Sequence, residues 1–178
     1  MDAAHPRAPA PRDPAPRGPA AGASFVSRVP WDPDRPKVLV VCCSDGRFHG
    51  PIVDFVDHEV SDRADLLALP GGPAVVDPWN SSFDEARVFG AALALFEAHH
   101  DLHEAWLIAH ERCSYYRVRH PAATPAELAA RQRADLRRAA ALLRARASRL
   151  DVRLVWAAVD DGRVVFTTVP DEPPADGA

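Results

Sequence analysis

Cys43, His110 and Cys113 are the residues of this 178-residue chain whose types and spacing point most directly to chemistry. Two thiolates and one imidazole suit Zn²⁺, which takes sulfur and nitrogen ligands tetrahedrally, and three protein ligands leave a fourth position for water. That is the pattern of a catalytic site; a structural one would want a fourth Cys or His. Cys42 falls on the opposite side of a strand from Cys43 if the strand persists that far, so it reads as core. Singly, the three are two buried cysteines and a hydrogen-bonded histidine, and only their joint placement after two buried strands points to a metal. Asp45 and Arg47 follow Cys43 in steps of two residues, a spacing that lets a carboxylate face the metal while a guanidinium holds it from behind. Taken alone, the same two residues read as a loop aspartate satisfying local backbone N–H groups beside a solvated arginine.

The elements that must position these groups alternate in type. Lys37–Cys42 is a short apolar run rich in β-branched residues and reads as a central strand buried on both faces. Pro51–Val60 reads as a short helix with proline in its first turn, and Ala64–Leu69 as a second strand stopped by Pro70-Gly71-Gly72-Pro73. Ser82, with Glu85 three residues on, is a capping-box signature for a helix running through Phe96. Glu104–Ala109 is a third strand, residues 125–149 a long Ala/Arg/Leu helix, and Val152–Val159 a fourth strand. Asp161-Gly162 then turns the chain into Arg163–Val169. This order predicts an α/β fold: a mostly parallel central sheet of about four strands, helices on both faces, and an antiparallel edge strand. In such sheets ligands gather past the carboxyl ends of the strands, where Cys43–Arg47 and His110–Cys113 both fall.

Composition narrows the function classes. A net charge of -4 with basic and acidic residues interspersed excludes a phosphate-neutralising face, so nucleic acid is not an expected partner. The arginines of residues 125–149 read as the solvated side of one amphipathic helix. Three cysteines, two of them adjacent, do not make a disulfide framework and fit a reducing compartment. No stretch approaches the ~18 apolar residues of a membrane span, and the first thirty residues resemble no secretory signal. A cytoplasmic protein without a membrane partner is expected. Residues 1–30 are Pro/Ala-rich and predict a disordered tail, 31–170 the folded domain, and 171–178 a second disordered tail.

Cys43-Ser44-Asp45-Gly46-Arg47 and His110-Glu111-Arg112-Cys113 resemble the Cys-x-Asp-x-Arg and His-x-x-Cys motifs of the β-class carbonic anhydrases. The similarity extends over roughly residues 35–169, in the manner of a divergent, compact member. The resemblance implies Zn²⁺ held by Cys43, His110 and Cys113, and reversible hydration of carbon dioxide to bicarbonate by a hydroxide that zinc supplies. Asp45 would orient that hydroxide and Arg47 would be its partner. It also implies a homodimer or a dimer-based oligomer, and in some members the aspartate leaves its arginine to bind zinc directly. Two departures bear on the pocket: the family's Arg-Asn-Ala-Gly segment is here Leu69-Pro70-Gly71-Gly72-Pro73, and Ser114 replaces the glycine after the second cysteine, with Tyr115-Tyr116 following. The altered segment keeps two further readings open. One is a hydrolase of a carbon dioxide analogue such as carbonyl sulfide or carbon disulfide; the other is a non-catalytic zinc-binding protein. Tyr115 and Tyr116 read as packing residues that begin a loop, and His49, His99, His100, His103 and His120 as solvated ones, outside the site.

Overall fold

Strand β1 (Val38–Cys43) is buried at every position, as an apolar run without polar alternation requires. It lies between β2 (Ala64–Leu69) and β3 (Glu104–His110), both parallel to it. Strand β4 (Asp151–Asp160) runs parallel to β3, and β5 (Arg163–Thr168) pairs antiparallel to β4. The sheet order is β2-β1-β3-β4-β5: four parallel strands and one antiparallel edge strand, the α/β architecture expected. Asp161 and Gly162 both take positive φ, the geometry that a two-residue Asp-Gly hairpin turn demands.

The computed structural model describes Gly22 and residues 25–60, 62–78 and 82–172. The chain divides into two units, Met1–Pro33 and Asp34–Ala178. In the first, no described residue is helical or extended in a sheet, and Phe25, Val26, Val29 and Trp31 are exposed. Most of both expected tails lies outside the described residues. The second unit carries the sheet. No helix among the described residues is long and apolar enough to cross a membrane.

Alternate residues of each inner strand go to opposite faces, and each face has its own cover. Leu39, Val41, Leu107 and Leu154 pack against Phe89 and Leu93 of α2 (Phe83–His99) and Leu136 and Leu143 of α4 (Pro125–Arg146). On the other face Val38, Val40, Cys42 and Ile108 meet Phe48 and Ile52 of α1 (Gly46–Glu59). Both long helices start on capping boxes, Ser82 with Glu85 and Thr124 with Glu127, each satisfying two otherwise unpaired N–H groups.

Two local expectations differ from what forms. Helix α1 begins at Gly46, not Pro51, because the Asp45 side chain accepts the Arg47 backbone N–H as an N-cap. Pro51 therefore sits inside the helix, where the neighbouring turns and the packing of Phe48 and Ile52 hold it. The segment after Cys113 is no loop: Ser114–Arg119 forms a short helix, α3, with Cys113 at its N-cap.

Between β2 and α2 a 3₁₀ turn, Gly72–Val76, crosses directly behind the end of β1. Gly72 has φ +55°, and a Cβ there would lie 2.8 Å from the Cys43 nitrogen and 2.9 Å from the Cys42 carbonyl carbon. Both the dihedral and the contact with backbone forbid a side chain. Gly72→Ala should lose more than about 1 kcal/mol in urea unfolding. Gly46→Ala, with open space around its Cβ, should lose nothing measurable in the same assay.

Candidate metal centre

Cys43 ends β1 and His110 ends β3, and because these strands are parallel neighbours their carboxyl ends deliver both side chains to one place. Cys113 arrives from the β3–α3 loop. That loop turns sharply through Arg112, a non-glycine residue at φ 57° whose carbonyl accepts a hydrogen bond from Arg47 (3.2 Å). The three donor atoms lie within 4.8 Å of one another, and all three residues are buried. Cys42 points to the opposite face, into the core under α1, where burial pushes its thiol up to about 12.

The donor chemistry fits zinc on three counts. His110 Nδ1 lies 2.7 Å from the Glu111 carbonyl, which can only accept, so the proton sits on Nδ1 and Nε2 carries the free lone pair. Nε2 is buried without a hydrogen-bond partner. The two sulfurs are 3.8 Å apart, too far for a disulfide, and both cysteines are free. Sulfurs about 2.3 Å from a tetrahedral zinc lie about 3.8 Å from each other. Cys43 is held well below the usual thiol range, chiefly by its contact with the Cys113 thiol and further by the Gly71 backbone N–H, which together outweigh burial. Cys113 is pushed up in turn by the Cys43 sulfur and by burial. Phe48 packs on the imidazole at 4.2 Å between ring centres.

Asp45 faces the same opening. Arg47 grips it as a fork, Nε to Oδ1 at 2.9 Å and an Nη to Oδ2 at 2.5 Å, while the Arg47 backbone N–H also donates to Oδ1. These bonds hold the Asp45 carboxyl down to about 2, so it is a carboxylate throughout the neutral range. The two readings of this pair coexist, since Asp45 caps α1 and binds Arg47 at once. A carboxyl held below its ordinary value of 3.8 stabilises the fold above that pH, and the contribution is lost as pH falls towards 2. Arg47→Gln should therefore move the midpoint of acid unfolding to higher pH.

A cavity of about 520 Å³ opens over these groups, lined by Cys43, Asp45, Arg47, Pro70, Tyr115 and Arg119 among others. Tyr115 is a wall residue here, not packing alone. Its ring lies against Gly71, where a Cβ would come within 2.7 Å of it, and the Arg119 guanidinium covers it at 3.6 Å. Its hydroxyl donates to Glu85 (3.2 Å), leaving an apolar ring edge to the cavity. Sequence patterns gave no sign of this, because the contact joins the turn after β2 to the short helix α3, which no local periodicity connects. His99 and His100 line a separate cavity of about 730 Å³ at the amino-terminal end of the strands, and His100 pairs there with Asp65.

No family model matches the chain, and no curated protein matches it in sequence. Solved structures do. The β-carbonic anhydrase of the fungal pathogen Aspergillus fumigatus superposes with a TM-score of 0.51 at 13% identity, covering 78% of this chain and 77% of that one. One of two tetrameric β-carbonic anhydrases from Sordaria macrospora gives a TM-score of 0.48 at 14% identity, over 76% of this chain and 83% of that one. The resemblance carried by the two motifs is thus matched at the level of the fold: over 78% of its length the chain has the fold of the β-carbonic anhydrases.

Proposed function

We propose that this protein is a zinc-dependent carbonic anhydrase that interconverts carbon dioxide and water with bicarbonate and a proton. The observation that carries the reading is a buried, unpartnered His110 Nε2 within 4.8 Å of two free thiols, with Cys43 and the arginine-locked Asp45 lining one cavity. Cys43, His110 and Cys113 would hold the metal. Bound there, zinc supplies Lewis acidity that brings the pKa of water near neutrality.

The chain's own groups do the rest. Asp45, kept ionised by Arg47, can only accept a hydrogen bond, so it fixes the O–H of the attacking oxygen and turns a lone pair towards the substrate carbon. Arg47 cannot turn away without giving up both Asp45 and the Arg112 carbonyl. Pro70, the Tyr115 ring and Val118 offer apolar surface, which suits an uncharged gas better than an anion and favours release of bicarbonate. Stopped-flow hydration on zinc-quantified protein tests the reading. Turnover well above buffer, proportional to zinc content, is expected; a zinc-replete protein at the buffer rate would sink it.

The same wall favours a second substrate class. Pro70, Gly71 and Gly72 place no polar side chain at the cavity, and carbon disulfide and carbonyl sulfide are apolar relatives of carbon dioxide. Sulfide release outpacing bicarbonate formation would move the assignment to them. A homodimer goes with the primary reading, supported by Val118, 78% exposed at the cavity wall. Sedimentation equilibrium returning only a monomer would remove it. A cytoplasmic location is supported by three free, buried thiols, and fractionation tests it.

A further inference from the structure

Behind the metal centre lies a buried polar cluster that the reaction does not use. The Tyr116 hydroxyl donates to Asp135 Oδ2 at 2.7 Å. Arg138 reaches Asp135 through one Nη and Asp77 Oδ2 through Nε, the latter at 3.2 Å. The Asp77 and Asp135 side chains are only 6% and 7% exposed. Two carboxylates so far from water cost stability unless paired and hydrogen-bonded, and a plain apolar contact between these elements would have avoided that cost. Their placement explains their presence.

Each end of the cluster grips a segment that adjoins one of the two thiol ligands. Tyr116 belongs to the first turn of α3, whose N-cap residue is Cys113 itself. Asp77 caps the 3₁₀ turn Gly72–Val76, whose first residue, Gly72, lies directly against the Cys43 backbone nitrogen. Asp135 and Arg138 stand one turn apart on α4 and join the two ends. The Tyr116 ring packs with Cys43, Ala74, Cys113 and Leu128, so the clamp and the ligands share one small core.

Resting on the metal reading proposed above, we infer that Tyr116, Asp135, Arg138 and Asp77 are positioning residues for the metal. They hold the two thiol-bearing segments at the separation zinc needs before zinc arrives. Such outer partners of ligands typically govern 10- to 100-fold in metal affinity.

The test uses the full chain and three variants: Tyr116→Phe, Asp135→Asn, and Arg144→Gln as a control. Arg144 sits on the same helix but binds Asp171 and the Val152 carbonyl, away from the ligands. Zinc dissociation constants from competition with a chromophoric chelator, the visible spectrum of the cobalt-substituted proteins, and the melting temperature of the metal-free forms are measured together. Tyr116→Phe and Asp135→Asn should raise the zinc dissociation constant about 10- to 100-fold and alter the cobalt bands. Arg144→Gln should lower only the melting temperature. Wild-type affinity and spectrum in the first two, with melting temperature alone reduced, would overturn the inference and leave a structural role. Should Asp135→Asn not fold, Tyr116→Phe, which keeps the ring and loses one hydroxyl, decides. Wild type that binds zinc without hydrating carbon dioxide would overturn the proposed reaction and leave this inference standing. Wild type that takes up no zinc overturns the metal reading and this inference with it.

Discussion

Cys43→Ser, purified beside the wild type, should carry almost no zinc and hydrate carbon dioxide no faster than buffer. A serine hydroxyl stays protonated at neutral pH and offers zinc a poor donor, whereas the Cys43 sulfur ionises readily beside the Cys113 thiol and the Gly71 N–H. The affinity loss should exceed the roughly 100-fold that removing a ligand's hydrogen-bond partner costs, since here a ligand itself is removed. The sheet should survive. Cys43 packs in the small cluster with Ala74, Cys113 and Tyr116, while the two large cores on the faces of the sheet are built without it. Circular dichroism close to wild type, with metal and activity both gone, separates this outcome from unfolding. Full zinc content in Cys43→Ser would exclude the sulfur as a ligand and with it the site as drawn.

Asp45→Asn should behave in the opposite way, keeping its zinc and losing turnover by about 100-fold or more, the range expected of a group that handles a reacting proton. The amide keeps the size of the side chain and an oxygen that can still cap α1 through the Arg47 N–H. It cannot keep both oxygens as acceptors, so the fork from Arg47 loses one arm and an N–H is presented where a lone pair was needed. Zinc stoichiometry near one with hydration down and the fold unchanged is the expected result. Unchanged turnover would make Asp45 a helix cap and nothing more.

Much of this was legible in residues 37–47 and 104–113. Short apolar runs bounded by polar residues define strands buried on both faces, and reactive side chains placed just beyond two such runs converge if the runs are parallel neighbours. The pairing of β1 with β3 met that condition. Helix α1 was harder. Gly46, Arg47, His49 and Gly50 carry no apolar periodicity, so Pro51 stood out as a start, and only the Asp45 side chain bonding to the Arg47 N–H shows where the helix begins. An aspartate just ahead of an unpatterned stretch was the available signal. Helix α3, with six residues, is too short for any period to register. Tyr115 and the clamp around Asp135 were beyond sequence reading for a different reason. Charged residues on an Ala/Arg/Leu helix look solvated until the tertiary fold sets Asp77 and Tyr116 opposite them.

The tandem Cys42-Cys43 has a consequence for how β1 finds its place. Shifting a strand by one residue exchanges its two faces, and in most proteins a misplaced polar side chain penalises the error at once. Here both faces of VLVVCC are apolar, and a one-residue slip would bring Cys42 into the slot of Cys43, sulfur for sulfur. Across these six positions neither burial nor a bound metal would detect the mistake; it would show only at the start, where Lys37 would enter the fully buried place of Val38. The lock at the other end is backbone shape: Gly72 pressed without a side chain against the Cys43 nitrogen, the Ser44 N–H bonded to the Leu69 carbonyl, and Asp45 opening α1 one step beyond. In this protein one glycine, one backbone hydrogen bond and a capped helix start proofread an alignment that the cysteines themselves would forgive.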